Sequence, residues 1–482
     1  MIDVRPVSYV IALLVAALGV VMLIPAGVDF FYGNAHGWVF VQAAAFTFLV
    51  GLFVALATHN LNRGGLSLQE TFLLTTGVWV TLPVFGAIPF IIGATEASPT
   101  DAFFEAMSGL TTTGSTVFSG LDTLPEGLLA WRAMLQWLGG VGIIVVAMVF
   151  LPELRVGGMQ IFRSEAFDTM GKILPRAAQI AQQISVIYVA LTALCAAAYI
   201  AAGLELFEAI MHALTTVSTG GFSTRDASFG AFGAGAQLVA VLFMVLAALP
   251  FVRFVQLLNG EPRPLFQDRQ VLGLAAVLAV AVGAITVWLW LRAGQVGLAA
   301  PLAALFNTTS LITGTGYASE DYMLWGAFPV VALFFVGLVG GCAGSTSCSV
   351  KIFRYQLLFA SVAAQVRQIY SPSGIFTPRY DGRPVGQDVM DSVMSFFVVF
   401  IGSLIVLAIL LSMTGLDAIT SVSGAASAIA NIGPGLGSEI GPAENFGGLN
   451  DTAKWLLAAG MLLGRLELMA VLVLFTRAFW RT

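Results

Sequence analysis

The chain has 482 residues, of which 58% are hydrophobic and 10% are charged. Soluble domains average about 45–50% apolar and about 25% charged residues. Such a low charged fraction, with a mean hydropathy of +0.92, excludes a soluble globule, a disordered chain and a collagen-like fibre. The composition therefore predicts an integral membrane protein.

Ten apolar stretches are long enough to cross a bilayer core of about 30 Å, which needs roughly 20 helical residues. They are residues 7–28, 39–58, 71–93, 129–151, 180–203, 236–258, 271–291, 326–341, 389–413 and 454–475. Residues 1–5 lead straight into the first stretch, which has no small-residue cleavage site, so we expect a retained helix and not a signal peptide. An even number of spans places both termini on the same side.

Basic residues are distributed unevenly between the two predicted sides. With both termini inside, sixteen of the 21 Lys and Arg residues lie on the inner side, and four lie outside. Because positive charge favours the cytoplasmic side, we expect both termini in the cytoplasm. Fifteen of the 26 acidic residues lie outside. They either attract cations to an outer mouth or simply occupy the side that lacks Lys and Arg.

Four outer connections share one pattern, a segment of about 12–16 residues that ends in a glycine turn. The segments are residues 101–113, 205–219, 301–313 and 417–432, and the turns lie at Gly114, Gly220, Gly314 and Gly433. Segments of this length enter a bilayer and return without crossing it. The pattern indicates four internal repeats of span, half-span, turn and span, preceded by two further spans.

Such turns are suited to binding a cation. Non-helical backbone at membrane depth must be buried or line water, which four turns around one axis achieve. Glycine lets successive carbonyl oxygens point inward, and a ring of carbonyls replaces the hydration shell of a cation. No carboxylate adjoins these glycines, which favours a monovalent ion. The candidate ion-binding residues are Thr112, Thr113, Gly114, Ser218, Thr219, Gly220, Ile312, Thr313, Gly314, Asn431, Ile432 and Gly433.

The eighth span is interrupted. Residues 326–340 extend only about 21 Å as a helix and are followed by the run GGCAGSTSCS at 340–349. We expect this run to lie unwound within the membrane, and the alternative is a helix that ends at the cytoplasmic surface. The candidate gate residues are Gly340, Gly341, Cys342, Ala343, Gly344, Ser345, Thr346 and Arg465.

Arg465 lies in the middle of the last predicted span, where an unpaired charge is costly. Glu467 is a poor partner because it faces roughly the opposite side of the same helix. We predict that Arg465 faces the pore near the glycine–serine run as a positive barrier. The alternative is an arginine that bonds backbone carbonyls for structure alone.

Three strings carry a resemblance to a known family: SGLTTTGST at 108–116, TVSTGGFS at 216–223 and NIGPGLG at 431–437. They resemble the filter segments of the Trk/Ktr/HKT potassium transporter superfamily. The two extra spans and the string GGCAGST at 340–346 resemble its TrkH branch. The resemblance implies an all-α integral membrane fold, with four membrane-pore-membrane repeats in pseudo-fourfold symmetry around a central ion pore.

The resemblance also implies specific roles. The family keeps one glycine in each filter, matched here to Gly114, Gly220, Gly314 and Gly433, and the run at 340–349 becomes an intramembrane gate loop. Serine at the position of Gly114 accompanies sodium preference in plant relatives, so glycine there supports potassium. Relatives act in the bacterial inner membrane as homodimers with a cytosolic TrkA-type nucleotide-binding ring. We therefore expect no cofactor in this chain and no nucleic-acid partner.

The predicted organisation has six parts. They are an N-terminal helix pair at 1–65, repeats at 66–176, 177–264 and 265–369, a cytoplasmic linker at 370–386, and a fourth repeat at 387–482. The linker either docks a cytosolic partner or simply connects two repeats. His36, His59 and His212 are isolated and predict no metal site, and the three cysteines are expected to be packing residues.

The leading hypothesis is a potassium-selective subunit that works as a gated channel. A proton- or sodium-coupled potassium symporter is the alternative; it predicts inverted repeats and a carboxylate at mid-membrane, a position that only Glu467 occupies. A membrane-embedded enzyme ranks third because the sequence lacks a nucleophile–base cluster.

Overall fold

The computed structural model describes residues 3–59, 66–145, 177–292, 297–466 and 468–481, and these are mainly helical. The helices are Arg5–Val21, Leu23–Phe31, Gly37–Thr58, Leu68–Gly86, Ile88–Ile92, Pro99–Leu110, Glu126–Val145, Ala177–Ala201, Leu206–Val217, Ala234–Ala247, Phe251–Leu258, Arg263–Gln267, Arg269–Arg292, Ala299–Ile312, Ala327–Val339, Ile352–Tyr370, Gln387–Met413, Ala418–Ala430, Asp451–Arg465 and Met469–Leu472. Short 3-10 turns are Leu121–Thr123, Ser228–Ala231, Tyr322–Trp325, Phe446–Gly448 and Val473–Phe475.

Six segments of the described chain are long and apolar enough to cross a membrane. They are Arg5–Phe31, Gly37–Thr58, Leu68–Ile92, Ala181–Ala201, Arg269–Arg292 and Gln387–Met413. Each corresponds to one of the ten predicted spans. The predicted span at 129–151 begins in the helix Glu126–Val145 and continues beyond the described residues.

Two predicted spans are not continuous helices. The stretch 236–258 breaks after Ala247, and the helix Phe251–Leu258 turns away by 91°. The break is explained by Pro250, which lacks an N–H group and disfavours helical geometry at Leu249. The stretch 454–475 bends by 106° after Arg465. Continuous spans at these two places were therefore a wrong prediction.

Four short helices lie where the half-spans are predicted, and we name them in chain order. Short helices 1 to 4 are Pro99–Leu110, Leu206–Val217, Ala299–Ile312 and Ala418–Ala430. Helices 1 and 4 begin at side-chain caps, where Ser98 and Asp417 accept hydrogen bonds from backbone N–H groups. Most residues of the four helices are buried.

The eighth predicted span is the helix Ala327–Val339, whose 13 residues extend only about 20 Å. It ends at Gly340, whose φ of 77° stops the helix. Residues 340–351 then continue without helix to Ile352. The run is therefore unwound after a short helix, and its predicted place within the membrane stays a prediction.

The predicted linker at 370–386 contains a small antiparallel hairpin of strands Arg379–Tyr380 and Arg383–Pro384. Tyr380 and Val385 pack in an apolar cluster with Phe353 and with Ala343 of the glycine–serine run. The linker is thus packed against the run. The boundaries of the six predicted parts stay a prediction.

Candidate functional site

The four short helices end in the same backbone motif. In each motif, one left-handed residue lies directly after the helix or one residue further on, and it donates its N–H to the carbonyl three residues earlier. The residue that follows it donates its N–H to the carbonyl five residues earlier. The left-handed residues are Thr112, Thr219, Gly314 and Asn431, with φ from 51° to 74°. The residues that follow them are Thr113, Gly220, Thr315 and Ile432. This pair of hydrogen bonds is the Schellman motif, which satisfies the last carbonyls of a helix.

A second left-handed residue follows in each turn, and it is always glycine. These residues are Gly114, Gly221, Gly316 and Gly433, with φ of 86°, 79°, 83° and 104°. The backbone therefore aligns Gly221 and Gly316 with Gly114 and Gly433. The predicted filter glycines Gly220 and Gly314 come one and two residues before this position, since each is the first glycine of its string.

The four turns form a closed ring in the order 1–2–3–4. A Cβ added to Gly114 would collide with the carbonyl oxygen of Gly220, and one added to Gly221 would collide with that of Thr315. A Cβ on Gly316 would collide with the carbonyl oxygen of Ile432.

Turn 4 returns to turn 1 in the same way. A Cβ on Gly433 would lie 2.9 Å from the carbonyl oxygen of Thr113. Each of these glycines thus touches the carbonyl of the next turn, and a side chain fits at none of them. We call the carbonyls of Thr113, Gly220, Thr315 and Ile432 the ring carbonyls.

Side-chain hydrogen bonds join neighbouring turns. Between turns 1 and 4, Ser115 Oγ donates to the Gly433 carbonyl at 2.8 Å, and Asn431 Nδ2 donates to Thr113 Oγ1 at 2.8 Å. Between short helix 2 and turn 3, the hydroxyls of Thr215 and Tyr317 lie 2.5 Å apart. These bonds fix the turns relative to one another in the buried interior.

Several predicted site side chains turn away from the ring. Ser218 Oγ donates back to the Leu214 carbonyl at 2.8 Å, and Thr313 Oγ1 donates to the Thr309 carbonyl at 2.8 Å. Ile312 packs in an apolar cluster with Cys342. The Ser218 hydroxyl is therefore used within its own helix, which the sequence pattern did not indicate. The Thr313 hydroxyl bonds its own helix and also lies 2.8 Å from Thr315 Oγ1 of turn 3.

A cavity of about 240 Å³ adjoins the turns and is lined by backbone of Gly114 and Gly433 and by the side chains of Arg132, Asp226 and Glu444. It is the mouth of the candidate site. No carboxylate belongs to the four turns themselves.

A buried ion pair supports this mouth. Arg132 Nε donates to Glu105 Oε1 at 2.8 Å, and both side chains are almost fully buried. Arg132 Nη1 also donates to the Ser223 carbonyl at 2.8 Å, and Nη2 donates to Thr116 Oγ1 at 3.1 Å. The pair therefore ties the chain after turn 1 to the chain after turn 2. In the sequence, both residues stand out only as charges on the predicted outer side.

A more exposed ion pair lies beside it. Arg225 Nη1 is 3.0 Å from Asp122 Oδ1, and Arg225 Nε donates to Glu208 Oε1 at 2.9 Å. The hydrogen bond from Arg225 lowers the pKa of Asp122 below its ordinary value of 3.8. Asp122 therefore stays ionised at neutral and mildly acidic pH.

The candidate gate run packs against the broken helix of the second predicted repeat. Cys342 N donates to the Ala248 carbonyl at 3.0 Å, and Thr346 Oγ1 donates to the Ala247 carbonyl at 3.0 Å. Phe251 N donates to the Gly344 carbonyl at 2.9 Å. The break after Ala247 frees the carbonyls that hold the run, so two interrupted segments satisfy each other's backbone.

Other bonds hold the ends of the run. Ala343 N donates to Gln270 Oε1 at 2.8 Å, and Ser345 Oγ donates to the Cys342 carbonyl at 2.7 Å. Gly341 N donates to Ser347 Oγ at 2.9 Å. Gly340, at the start of the run, fits closely against the backbone near Ser349. The predicted residues 340–346 are thus brought together in one buried segment.

Arg465 lies where this run approaches the ring. Its side chain is buried, Nη1 donates to Cys348 Sγ, and Nη2 donates to the Gly139 carbonyl at 3.2 Å. Thr112 Oγ1 of turn 1 lies 3.8 Å from the same Cys348 sulfur. Arg465 therefore contacts the run, while its role as a positive barrier stays a prediction and Glu467 lies outside the described residues.

Comparison with known proteins identifies the family. A sequence profile of TrkH, described as a cation transport protein, matches residues 36–261 and 270–481. The chain belongs to the TrkH family of cation transport proteins. It is accordingly a multi-pass, mainly helical membrane protein.

Relatives match over almost the whole chain. The Trk system potassium uptake protein TrkI of Halomonas elongata is 42% identical over 99% of this chain and 97% of its own length. The Trk system potassium uptake protein TrkH of Escherichia coli K12 is 36% identical over 99% of both chains. The crystal structure of the potassium transporter TrkH from Vibrio parahaemolyticus has a TM-score of 0.92 and 34% identity, with both chains fully covered.

Proposed function

We propose that this TrkH-family chain is the potassium-conducting subunit of a bacterial uptake system. The closed ring of four helix-terminal turns carries the proposal, because each turn presents backbone carbonyls without a carboxylate. Carbonyl rings of this kind replace the hydration shell of a monovalent cation. The names of the relatives, which are potassium uptake proteins, support potassium as the ion.

Four helix C-termini add to the stabilisation of the ion. Short helices 1 to 4 end at the turns, so the negative ends of their dipoles lie at the ring. Such an arrangement favours a cation and opposes an anion. Ions lose water at the ring, and the membrane potential contributes about 2.3 kcal/mol per charge per 100 mV to inward movement.

The glycine–serine run at 340–349 is the proposed gate, together with Arg465. Both lie at the inner end of the ring, where Cys348 contacts Arg465 and approaches Thr112. A fixed positive charge there opposes the passage of a cation, so conduction requires the run and Arg465 to move aside.

The assembly that we propose follows the relatives. Their names refer to a Trk system, which supports a multi-component assembly. We propose a homodimer in the inner membrane, with both termini in the cytoplasm and a cytosolic nucleotide-binding ring of the TrkA type that controls the gate. In this proposal, nucleotide binds to the cytosolic TrkA-type ring, and this chain binds only potassium.

Ion uptake by the purified chain in lipid vesicles tests the proposal. We expect potassium uptake that follows an imposed membrane potential and exceeds sodium uptake by about tenfold or more, or about 1.4 kcal/mol. Equal uptake of both ions would overturn potassium selectivity. Potassium uptake in a fixed ratio to proton uptake would instead show that the protein is a proton-coupled symporter and not a channel.

A further inference from the structure

Gln136 contacts the second turn of the ring from the helix Glu126–Val145. Its side chain is fully buried, Nε2 donates to the Gly220 carbonyl at 2.6 Å, and Oε1 accepts from the N–H of Phe222 at 3.0 Å. The two partners fix the orientation of the amide, because the reverse orientation would face a carbonyl with an oxygen and an N–H with a nitrogen. The amide therefore bridges both sides of Gly221.

This contact makes one of the four ring carbonyls different from the other three. Within the described chain, the Gly220 ring carbonyl accepts a side-chain hydrogen bond, whereas those of Thr113, Thr315 and Ile432 have no side-chain donor. Gln136 also fits tightly, since a Cβ on Gly220 would overlap its amide group. One of four candidate ion ligands is thus held in place by a buried side chain.

A carbonyl that is held in place changes how well the ring coordinates a small ion compared with a large one. Sodium is smaller than potassium, so carbonyl oxygens must move inward to coordinate it as closely. An oxygen that is bonded at 2.6 Å to an amide in a packed interior resists such movement. The larger potassium ion needs no such movement.

We propose that Gln136 is a specificity-determining positioning residue that favours potassium over sodium by holding the Gly220 carbonyl at its place in the ring. The inference rests on the proposed function, because it assigns a role within the same ion site. Gln136 acts through Gly220 and Phe222 and does not itself bind the ion.

The test compares Gln136→Met with Gln237→Met. Methionine keeps the length of glutamine but removes both hydrogen bonds to turn 2. Gln237 is the matched control, since its Nε2 donates to the carbonyls of Phe229 and Phe232 at 3.2 Å, away from the ring. Potassium and sodium uptake are measured in vesicles at equal membrane potential.

We expect the potassium-to-sodium uptake ratio of Gln136→Met to fall about fivefold, the factor that corresponds to one neutral hydrogen bond. The ratio of Gln237→Met should equal that of the parent. An unchanged ratio in Gln136→Met, with or without slower uptake of both ions, would overturn the inference and leave Gln136 a purely structural residue.

Gln136→Asn is a second variant, which tests the inference even where Gln136→Met does not fold. Asparagine keeps a polar amide in the pocket but is one methylene too short to hold both Gly220 and Phe222, so the ratio should fall as well. An unchanged ratio in a folded Gln136→Asn would also overturn the inference. A parent protein without potassium preference would instead defeat the proposed function, so the two failures are distinguishable.

Discussion

Gly114 has no room for a side chain, and this determines what a substitution there does. Its φ is 86°, and a Cβ would collide with the Gly220 ring carbonyl. We therefore expect Gly114→Ser to displace that carbonyl and lower the potassium-to-sodium uptake ratio about tenfold, or by about 1.4 kcal/mol of discrimination. Ion uptake in vesicles measures the ratio.

Gly120 provides the matched control for this substitution. It is also left-handed, with a φ of 70°, but a Cβ there would only reach ordinary contact with Thr123 at 3.7 Å. Gly120→Ser introduces the same backbone strain, about 1 kcal/mol, without touching the ring. Equal ratios in the two variants would contradict a steric role for Gly114.

Arg465 is the second residue whose role is open to direct test. Two unit charges about 8 Å apart interact by about 2 kcal/mol at an effective dielectric constant near 20, so a fixed positive charge close to the ion path opposes a cation appreciably. We therefore expect Arg465→Ala to raise potassium flux at least tenfold, whereas Arg465→Lys, which keeps the charge, should stay near the parent. Flux through vesicles decides, and an unchanged rate in a folded Arg465→Ala would assign the arginine a structural role alone.

Residue patterns predicted the ring only to within one or two positions. Strings such as TGG at 219–221 and TGTG at 313–316 contain two glycines each, and sequence alone does not show which one takes the second left-handed position of the turn. The hydrogen bonds of the helix ends decide this, because they select Gly221 and Gly316. Gln136 was not predicted because its contacts with turn 2 join residues that are distant in the chain. A lone glutamine in an apolar span is nevertheless a visible signal.

At the scale of elements, the run at 340–349 and the break after Ala247 depend on each other. Thr346 Oγ1 donates to the Ala247 carbonyl, and this bond helps to keep the run in its present position. We expect Thr346→Val to weaken that position by about 1 kcal/mol and to raise basal potassium flux about fivefold. The measurement is uptake in the absence of any cytosolic partner.

Thr286→Val is the control for Thr346→Val. Thr286 is buried in the helix Arg269–Arg292, and its hydroxyl has no hydrogen-bond partner among the described residues. The same change of side chain therefore breaks no contact with the run. If both variants conduct like the parent, the bond to Ala247 does not restrain the gate.

The short eighth helix was predictable from the sequence because length alone excludes a complete span. The break at 248–250 was not predicted, since the apolar stretch 236–258 has sufficient length and Leu249–Pro250 is its only signal of interruption. A proline within a membrane helix is tolerated where other groups satisfy the freed carbonyls. Those groups belong to residues 342 and 346, about a hundred positions away in the chain.

At the scale of the whole molecule, charged residues lie on both sides of the ring. The mouth above the ring is lined by Asp226 and Glu444 together with Arg132 and Arg225, while Arg253 and Arg269 lie near the gate region in ion pairs with Asp268 and Asp381. Acidic groups at the mouth concentrate cations. The positive-inside rule predicts that the mouth lies outside and that the hairpin at 379–384 lies in the cytoplasm.

Two serines test this orientation. Ser119 lies near the mouth and Ser373 lies beside the hairpin, and both are exposed, whereas the native Cys195, Cys342 and Cys348 are buried and give little background. We expect a membrane-impermeant thiol reagent to label Ser119→Cys in intact cells. Ser373→Cys should react only after the membrane is permeabilised. The opposite pattern would contradict the predicted orientation.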